Sequence, residues 1–195
     1  MPELTPSFAL QGNDGASWSS QTERLGLRAI DNIRKLRLQV RPRAEVDKSR
    51  LEKLLGTILP EKSAREGAHQ SPQEKVNNEA TVYWLGPNDW LLLDPAQETD
   101  RIAGALREAA GGATSVVTDV SDAWSIIEIS GEGAVSRLAQ GCSVDLHDSV
   151  FPAGRYALTR LQHLSVIIHR LDDTPRFRIL VDRSVAQYLR DWLVA

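Results

Sequence analysis

The amino-acid sequence predicts an α+β fold made of two related halves of split β-α-β, ferredoxin-like type that share one antiparallel sheet. Two observations support this prediction. Each half contains a strand hairpin followed by a helix, and the strand before each of these helices has a similar sequence, WLLLD at residues 90–94 and RILVD at residues 178–182. Residues 28–195 are therefore expected to form a single domain, with halves at about 28–120 and 121–195.

The first half is predicted to run strand, helix, strand, strand, helix, strand. Residues 34–40, RKLRLQV, alternate apolar and polar side chains, which indicates a half-buried strand. Residues 49–59 begin with a capping box and carry an apolar stripe at helical spacing. TVYWL and DWLLLD flank the turn sequence Gly86-Pro87-Asn88, which predicts a hairpin. The segments TDRIAGALREAAGG and TSVVTDV complete this half as a helix and a strand.

The second half begins with a strand, AWSIIEI, and a short helix that Ser130 is expected to cap and Gly141 to end. The segments GRYALTRL, LSVIIHR and RFRILV then predict an antiparallel meander of three strands. A closing amphipathic helix is expected to be capped by Ser184. His169 alternates with apolar residues in its strand, so it is expected to face outward or to be half-buried beside a partner.

Two segments fall outside this pattern. Residues 1–27 are predicted to be a flexible N-terminal tail, because the chain is polar and aperiodic up to residue 21. Residues 60–80 contain Val76 as their only aliphatic side chain larger than alanine, so they are predicted to form a long polar loop.

The composition limits the possible classes of protein. The formal net charge is -3 and the pI is about 5.8, so the chain has no overall positive field to attract nucleic acid or an anionic membrane. A single cysteine excludes an internal disulfide, and secreted domains usually contain more cysteines. The sequence shows neither a signal-peptide pattern nor a run of about 18 apolar residues. We therefore expect a cytoplasmic protein.

Residues 134–149, AVSRLAQGCSVDLHDS, concentrate reactive types of side chain, namely Cys142, Asp145, His147 and Asp148. A nucleophilic cysteine must be a thiolate, whereas a helix C-terminus and nearby carboxylates raise the pKa of a thiol. We therefore favour a small buried cysteine beside a C-cap glycine. The nucleophile remains the alternative, provided that the fold brings His147 back against the sulfur.

Other signatures of catalysis or metal binding are missing. Cys142 and His147 supply at most two of the four ligands that zinc requires. The remaining histidines, His69, His163 and His169, are predicted to lie in a loop, a turn and a strand. The sequence also lacks a phosphate-binding loop, a dinucleotide fingerprint and a nucleophile elbow. These patterns therefore predict no catalytic, cofactor-binding or metal-binding residue.

Several short motifs occur in order between about residues 28 and 195. They are Leu85-Gly86-Pro87 with Asp89-Trp90, Asp119-Val120-Ser121, Ser130-Gly131, Gly141-Cys142, Asp145-Leu146, Phe151-Pro152 with Gly154, and a final helix starting at Arg183-Ser184. As a set, they resemble the gamma subunit family of heterotetrameric sarcosine oxidase, which is similar to the folate-binding domain of the glycine cleavage system aminomethyltransferase. The motif residues expected to have structural roles are Gly86, Pro87, Asp89, Trp90, Gly141, Cys142, Asp145, Pro152 and Gly154.

The resemblance implies a non-catalytic subunit of a bacterial enzyme that oxidatively demethylates sarcosine to glycine. Its expected partners are alpha, beta and delta subunits. The complex is expected to carry FAD, FMN, NAD, tetrahydrofolate and zinc on those subunits, with no cofactor in this chain.

Two alternatives remain open. The chain could be an independent folate-binding one-carbon protein of the aminomethyltransferase-like group. Active members of that group place an acidic residue after the strand that corresponds to FPAGRYALTRL, whereas residues 161–165 here, LQHLS, contain no carboxylate. The second alternative is the equivalent subunit of a related N-methyl amino acid dehydrogenase.

The resemblance also suggests a role for the tail. Trp18 lies in an otherwise polar segment, so we expect the tail around Trp18 and Phe8 to pack on a neighbouring subunit.

Overall fold

The structure is a computed structural model and describes residues 18–22, 24–40, 69–70, 81–94, 99–109 and 115–195. The strands in these ranges are β1 (Ser19–Gln21), β2 (Gly26–Ala29), β3 (Arg34–Val40), β4 (His69–Gln70), β5 (Thr81–Gly86), β6 (Asp89–Asp94), β7 (Ser115–Asp119), β8 (Trp124–Ser130), β9 (Arg155–Leu161), β10 (Leu164–Arg170) and β11 (Arg176–Asp182). The helices are α1 (Thr99–Ala109), α2 (Ala134–Ala139) and α3 (Ala186–Val194), with a 3-10 turn at Arg183–Val185. The helix predicted over residues 49–59 lies outside the described residues.

The strands form two antiparallel sheets, which confirms the α+β class but corrects the expectation of one shared sheet. The larger sheet has the strand order β1-β2-β8-β11-β10-β9-β4, and the smaller has the order β5-β6-β3-β7. The physical reason is visible in β6, where Trp90 and Leu92 pack on one face while Leu91 and Leu93 pack on the other. A sheet that is apolar on both faces must be covered on both. The second sheet supplies one of the two covers.

The two sheets do not coincide with the two predicted halves. The smaller sheet uses strands of the first half alone, but β1, β2 and β4 join the second-half strands in the larger sheet. The first half therefore contributes strands to both sheets. Strand pairing between β2 and β8 and between β4 and β9 joins the two halves.

Apolar packing arranges these elements in layers. Ala103 of α1 packs on Leu36 and Leu92 of the smaller sheet. Leu91 and Tyr83 of the smaller sheet pack against one face of the larger sheet. The opposite face of the larger sheet is covered by the side chains of α2 and α3 that point inward, which are Ala134, Leu138, Ala186, Leu189 and Leu193. The order of layers is thus helix, sheet, sheet, helices.

The N-terminal boundary of the domain lies earlier than expected. β1 and β2 pair with each other and β2 pairs with β8, so the residues from Trp18 onward belong to the larger sheet rather than to a flexible tail over 1–27. Trp18 packs against the core of its own chain, and the Arg190 guanidinium carbon of α3 lies 5.7 Å from its ring centroid. Trp18 therefore packs on the core of its own chain, which the sequence did not indicate. Its contact with a neighbouring subunit stays a prediction, and Phe8 lies outside the described residues.

The predicted hairpin and meander are confirmed, but two helix caps differ. Ser130 ends β8, and Gly133 occupies the N-cap position of α2. At the last helix, Asp182 caps the 3-10 turn at Arg183–Val185, where its carboxylate accepts a hydrogen bond from the Ser184 backbone N–H at 2.8 Å. Ser184 lies inside that turn, and no side chain caps the helix Ala186–Val194 itself.

Most of the predicted loop over 60–80 lies outside the described residues. Its described part, β4, pairs with β9 through His69 opposite Tyr156 and Gln70 opposite Arg155. This part of the segment therefore belongs to the larger sheet. None of the described helices is long and apolar enough to cross a membrane.

Candidate functional site

The residues selected from the sequence lie in three places. Gly86, Pro87, Asp89 and Trp90 are in the β5–β6 hairpin, Gly141, Cys142 and Asp145 follow α2, and Pro152 and Gly154 precede β9. Segments from the first two places meet at one groove, described below, whereas the third does not contribute to it.

The β5–β6 turn depends on Pro87 and Asn88 more than on Gly86. Asn88 has φ of 58°, and the proline before it suits a type II turn, in which the third residue takes a positive φ. A Cβ added at Gly86 would meet nothing within 4 Å. Trp90 is buried beneath the hairpin and packs in the layer between α1 and the smaller sheet.

Asp89 ties β6 to β3. Its carboxylate accepts two hydrogen bonds from the Arg37 guanidinium, at 2.9 Å from Nε and 2.5 Å from Nη2. The hydrogen bond to Asp89 raises the pKa of Arg37. Asp89 therefore has a structural role and neutralises the Arg37 charge.

Gly141 permits a close approach between three elements. A Cβ added there would lie 2.7 Å from the Gln162 side-chain nitrogen in the β9–β10 turn and 3.1 Å from the Trp192 ring of α3. The backbone N–H of Gln162 also donates to the Gly141 carbonyl at 3.1 Å. The glycine thus lets the end of α2 pack directly against this turn.

Cys142 is half-buried and forms a bridge with Leu161 at the edge of β9. Burial raises the pKa of its thiol, and hydrogen bonds from Val144 and Thr159 offset this effect only in part. The expected direction of the pKa change is therefore confirmed, but its main cause is burial rather than the helix terminus. A protonated thiol is a poor nucleophile at neutral pH.

The polar residues after Cys142 pair within their own loop, apart from Asp148, which pairs with β10. The His147 backbone N–H donates to the Asp145 carboxylate at 2.9 Å, and His147 Nδ1 lies 2.9 Å from the Ser149 hydroxyl. Asp148 forms an ion pair of 2.5 Å with Arg170. These contacts join His147 to its own loop, and none of them joins its ring to the sulfur.

Pro152 and Gly154 shape the loop that leads into β9. The Pro152 carbonyl accepts a hydrogen bond from Arg155, and the Gly154 N–H donates to the Arg170 carbonyl at 2.8 Å. Gly154 has φ of 75°, a conformation that glycine adopts without strain. Among the described residues, no group of three or more His, Cys, Asp or Glu side chains could hold a metal ion.

The structure reveals a row of polar side chains that the sequence did not indicate. The residues pair directly across the larger sheet, Arg28 with Glu128, Glu128 with Arg178, Arg178 with His169 and His169 with Tyr156. We call these five residues the polar row. Glu128 accepts hydrogen bonds from Arg28 at 2.5 Å and from Arg178 at 3.0 Å. The row lies on the face that meets the smaller sheet.

Two hydrogen bonds connect the polar row to β5 of the smaller sheet. The Tyr83 hydroxyl lies 3.0 Å from His169 Nδ1, and the Trp84 backbone N–H donates to the Tyr156 hydroxyl at 3.0 Å. Tyr83 and Tyr156 also meet edge to face, with ring centroids 5.1 Å apart. These contacts fix the end of β5 that leads into the Gly86-Pro87 turn.

Burial sets the ionisation of the row. It lowers the pKa of His169 to about 3, with a further contribution from the Arg178 charge, so the imidazole is neutral at physiological pH. It raises the pKa of Tyr156 to about 12. Burial works to raise the pKa of Glu128, but its hydrogen bonds and ion pairs with Arg28 and Arg178 prevail and hold this pKa below its usual value.

The strand pattern led us to expect that His169 faces outward or is half-buried. It is instead 1% exposed, and it is hydrogen-bonded to Tyr83. Arg178 and Glu128 also lie inside, at positions where alternation alone places a side chain in solvent. The signal available in the sequence was weak: Glu128, His169 and Arg178 each lie two positions from an apolar residue of the same strand, namely Ile126, Ile167 and Leu180.

A groove of about 910 Å³ opens between the β5–β6 hairpin and the β9–β10 hairpin. Its described lining comes from β5 and its turn, from β9 and β10, from the segment after Cys142, and from Arg37 and Trp124. The side chains with the greatest chemical interest are Trp84, Pro87, Trp124, Ser143, Arg160 and Ser165. None of the described lining residues is acidic. The groove is therefore the place where the Gly86-Pro87 motif and the segment beyond Cys142 come together.

Comparison with known proteins gives a consistent result. The chain matches the profile of the family described as "Sarcosine oxidase, gamma subunit family" over residues 74–195. It is 34% identical over 113 residues to sarcosine oxidase subunit gamma from an Arthrobacter species, an alignment that covers 58% of this chain and 54% of that protein. The corresponding protein from Corynebacterium sp. strain U-96 is 31% identical over the same length, with the same coverage. The chain therefore spans about half the length of these curated relatives.

Solved structures show the same relationship. A chain of the heterotetrameric sarcosine oxidase from Corynebacterium sp. U-96, solved in complex with pyrrole 2-carboxylate, superposes with a TM-score of 0.74 and 25% identity over 90% of this chain and 85% of that chain. The glycine cleavage system aminomethyltransferase T from Bartonella henselae superposes with a TM-score of 0.56 at 14% identity, covering 88% of this chain and 46% of that one. The second match shows a shared fold, as expected from the resemblance.

Proposed function

This chain belongs to the sarcosine oxidase, gamma subunit family, and from that premise we propose that it is the gamma subunit of a heterotetrameric sarcosine oxidase and contributes binding surface rather than chemistry. The main support is the structural likeness to a chain of such an oxidase over 90% of the present chain.

The geometry of the reactive side chains supports a non-catalytic role. The thiol of Cys142 is protonated because burial raises its pKa, and His147 bonds within its own loop. Glu128, Arg178, His169 and Tyr156 of the polar row are buried, while Arg28 at its end is exposed, so substrate would have no access to most of the row. These residues stabilise the fold instead of forming a reaction centre.

The chemistry of the complex would reside on its alpha, beta and delta subunits, as the family resemblance implies. Those subunits would carry FAD, FMN, NAD, tetrahydrofolate and zinc. The enzyme would oxidise the N-methyl group of sarcosine and reduce oxygen to hydrogen peroxide. Glycine would be released, and the one-carbon unit would pass to tetrahydrofolate or leave as formaldehyde. We place this complex in the cytoplasm, in keeping with the single cysteine of this chain.

The alternative of independent folate binding has less support. Active folate-binding relatives are expected to use a carboxylate near the β9–β10 turn. Here that turn contains Gln162 and His163, and the described lining of the neighbouring groove has no acidic residue. A subunit of a related N-methyl amino acid dehydrogenase would use the same scaffold, so the substrate is best identified with the assembled complex.

Coexpression tests the proposal directly. The chain, tagged, is produced together with the alpha, beta and delta subunits of a heterotetrameric sarcosine oxidase, and the purified material is analysed by gel filtration and visible absorbance. We expect one complex with flavin absorbance and sarcosine-dependent hydrogen peroxide production, whereas the chain produced alone should be colourless and inactive. Failure of the chain to join the complex, or turnover of sarcosine by the chain alone, would overturn the proposal. Saturable tetrahydrofolate binding by the isolated chain in calorimetry would favour the folate-binding alternative.

A further inference from the structure

We propose that the groove between the β5–β6 and β9–β10 hairpins is the docking site for an acidic segment of one of the larger oxidase subunits. Trp84 and Trp124 would act as its apolar anchors and Arg160 as its charged contact. This inference rests on the proposed function and specifies which surface of the chain performs it.

The shape of the groove suits a polypeptide segment. It has a volume of about 910 Å³ and is partly open to solvent rather than enclosed. Pockets for small ligands usually enclose most of the ligand surface, which an open groove does not. A loop or an extended segment of a partner protein can lie along such a groove and remain connected to its own domain at both ends.

The lining has the composition of a protein interface. Trp84 of β5 and Trp124 of β8 come from different sheets, line the groove and are both half-buried, so part of each residue is accessible to solvent. Tryptophan and arginine are the residue types most enriched among the positions that dominate binding energy at interfaces. Pro87 adds a rigid apolar surface at the hairpin tip.

Charge determines the kind of partner. The Arg160 side chain is exposed and forms no ion pair with any described residue, in contrast to Arg37, whose guanidinium is held by Asp89. With no acidic residue in the described lining, the groove is a locally positive site on a chain of net charge -3. The complementary occupant is a segment that places a carboxylate opposite Arg160.

The walls of the groove are fixed before any partner binds. The Trp84 backbone is held by its hydrogen bond to Tyr156, and the adjacent Tyr83 is held by His169. Both bonds cross from the smaller sheet to the larger one. A preorganised groove loses little conformational entropy on binding, which favours affinity.

Charge reversal at Arg160 provides the first test. The remaining subunits are coexpressed without this chain. Association of the separately purified wild-type, Arg160→Glu or Arg24→Glu chain with them is then measured by interferometry. Arg24 is a matched control, because it is exposed and lies outside the groove lining. We expect Arg160→Glu to weaken association by about tenfold or more and to reduce its salt dependence, because it sets like charges against each other. Arg24→Glu should associate like wild type.

A second variant fills the groove without changing charge. Ser165 is exposed on β10 and lines the groove, so Ser165→Trp adds volume there without removing a buried contact. We expect it to weaken association by a similar factor, while its circular dichroism and urea midpoint stay close to those of the wild type. If Arg160→Glu fails to fold, Ser165→Trp alone tests whether the groove is the docking site.

The outcomes separate the two levels of proposal. Wild-type chain that joins the complex, together with folded Arg160→Glu and Ser165→Trp variants that join it equally well, would overturn the docking inference and leave the proposed function intact. Wild-type chain that does not join the complex would overturn both. A groove that instead mediates dimers of the isolated chain, or that binds tetrahydrofolate with a loss in the Ser165→Trp variant, would also overturn the inference.

Discussion

Two regions of the chain are rich in titratable side chains, and they differ in how those side chains find partners. In the loop after α2, Asp145, His147 and Ser149 are neighbours in sequence and bond to one another across two positions. In the polar row, Arg28 and Glu128 are 100 positions apart, and the contact of Tyr83 with His169 spans 86. Asp145, His147 and Ser149 are exposed, whereas every member of the row except Arg28 is buried.

The comparison indicates that a cluster of polar residues in the sequence need not contribute much to the stability of the fold. Water can replace a lost partner in an exposed loop, so its hydrogen bonds contribute little to stability. A buried charge that loses its partner has no such substitute. The conspicuous cluster around Cys142 should therefore tolerate substitution better than the inconspicuous row, and the following variants test that contrast.

The largest effect is expected for Glu128→Ala. This change leaves the buried Arg178 guanidinium without the carboxylate that accepts its hydrogen bonds at 3.0 and 3.3 Å. Breaking a buried ion pair costs about 3–5 kcal/mol in unfolding free energy. Urea denaturation measures the loss, with Asp145→Ala as the control for an exposed carboxylate. Equal losses in the two variants would remove the contrast between row and loop.

An effect of about 2 kcal/mol is expected from pH, through His169. Its pKa is about 3 in the folded chain against 6.5 for the free side chain, so the unfolded state binds more protons below pH 6.5. Stability should therefore be complete above that pH and fall by about 1.4 kcal/mol per pH unit on acidification, or about 2 kcal/mol between pH 6.5 and 5.

The matched variant for this test is His169→Gln, which can still accept a hydrogen bond from Tyr83 but does not titrate. The difference in urea stability between wild type and variant should shrink by this amount as the pH falls. The lowered pKa of Glu128 acts in the same direction but at lower pH, below its ordinary value of 4.5, so the window from pH 5 to 6.5 isolates the histidine. A constant difference across that window would contradict the neutral, buried imidazole.

A smaller loss, about 1 kcal/mol, is expected for Tyr156→Phe. The variant keeps the ring and its edge-to-face contact with Tyr83 but removes the acceptor for the Trp84 N–H. Hydrogen exchange at the Trp84 amide provides a local measurement and should become faster. Unchanged exchange would mean that this bond does not hold the hairpin against the larger sheet.

The smallest effect is expected for Cys142→Ala. The side chain is half-buried and its thiol is protonated, so removing the sulfur should cost less than about 1 kcal/mol. Sarcosine oxidation by the assembled complex should stay close to the wild-type rate. A loss of activity with intact assembly would restore the thiol as a functional group and reverse the ranking of the two regions.

Much of the local structure could be predicted because it depends on short-range patterns. The alternation in residues 34–40 and the turn sequence around Asn88 each act within a few positions, and both strand and hairpin are found where expected. The caps were less predictable, since Asp182 and Ser184 are both favoured capping residues two positions apart, and the structure gives the role to Asp182.

The site was only partly predictable. Gly86 and Pro87, which line the groove, were selected as motif residues, but Trp84 and Arg160, which line it too, were not selected. Their proximity follows from the packing of one hairpin against another, and a single sequence contains no direct record of that packing.

The sequence by itself determined most of the strands and helices, through the periodicity of apolar side chains and the residues that form turns, but not β1, β2 and β4. Only the tertiary structure decided that the strands divide into two stacked sheets and that Glu128, His169 and Arg178 face inward. The reason is physical: a charged or polar side chain can be buried only when distant strands bring its partners within hydrogen-bonding distance, and that condition is met by the register of the assembled sheet.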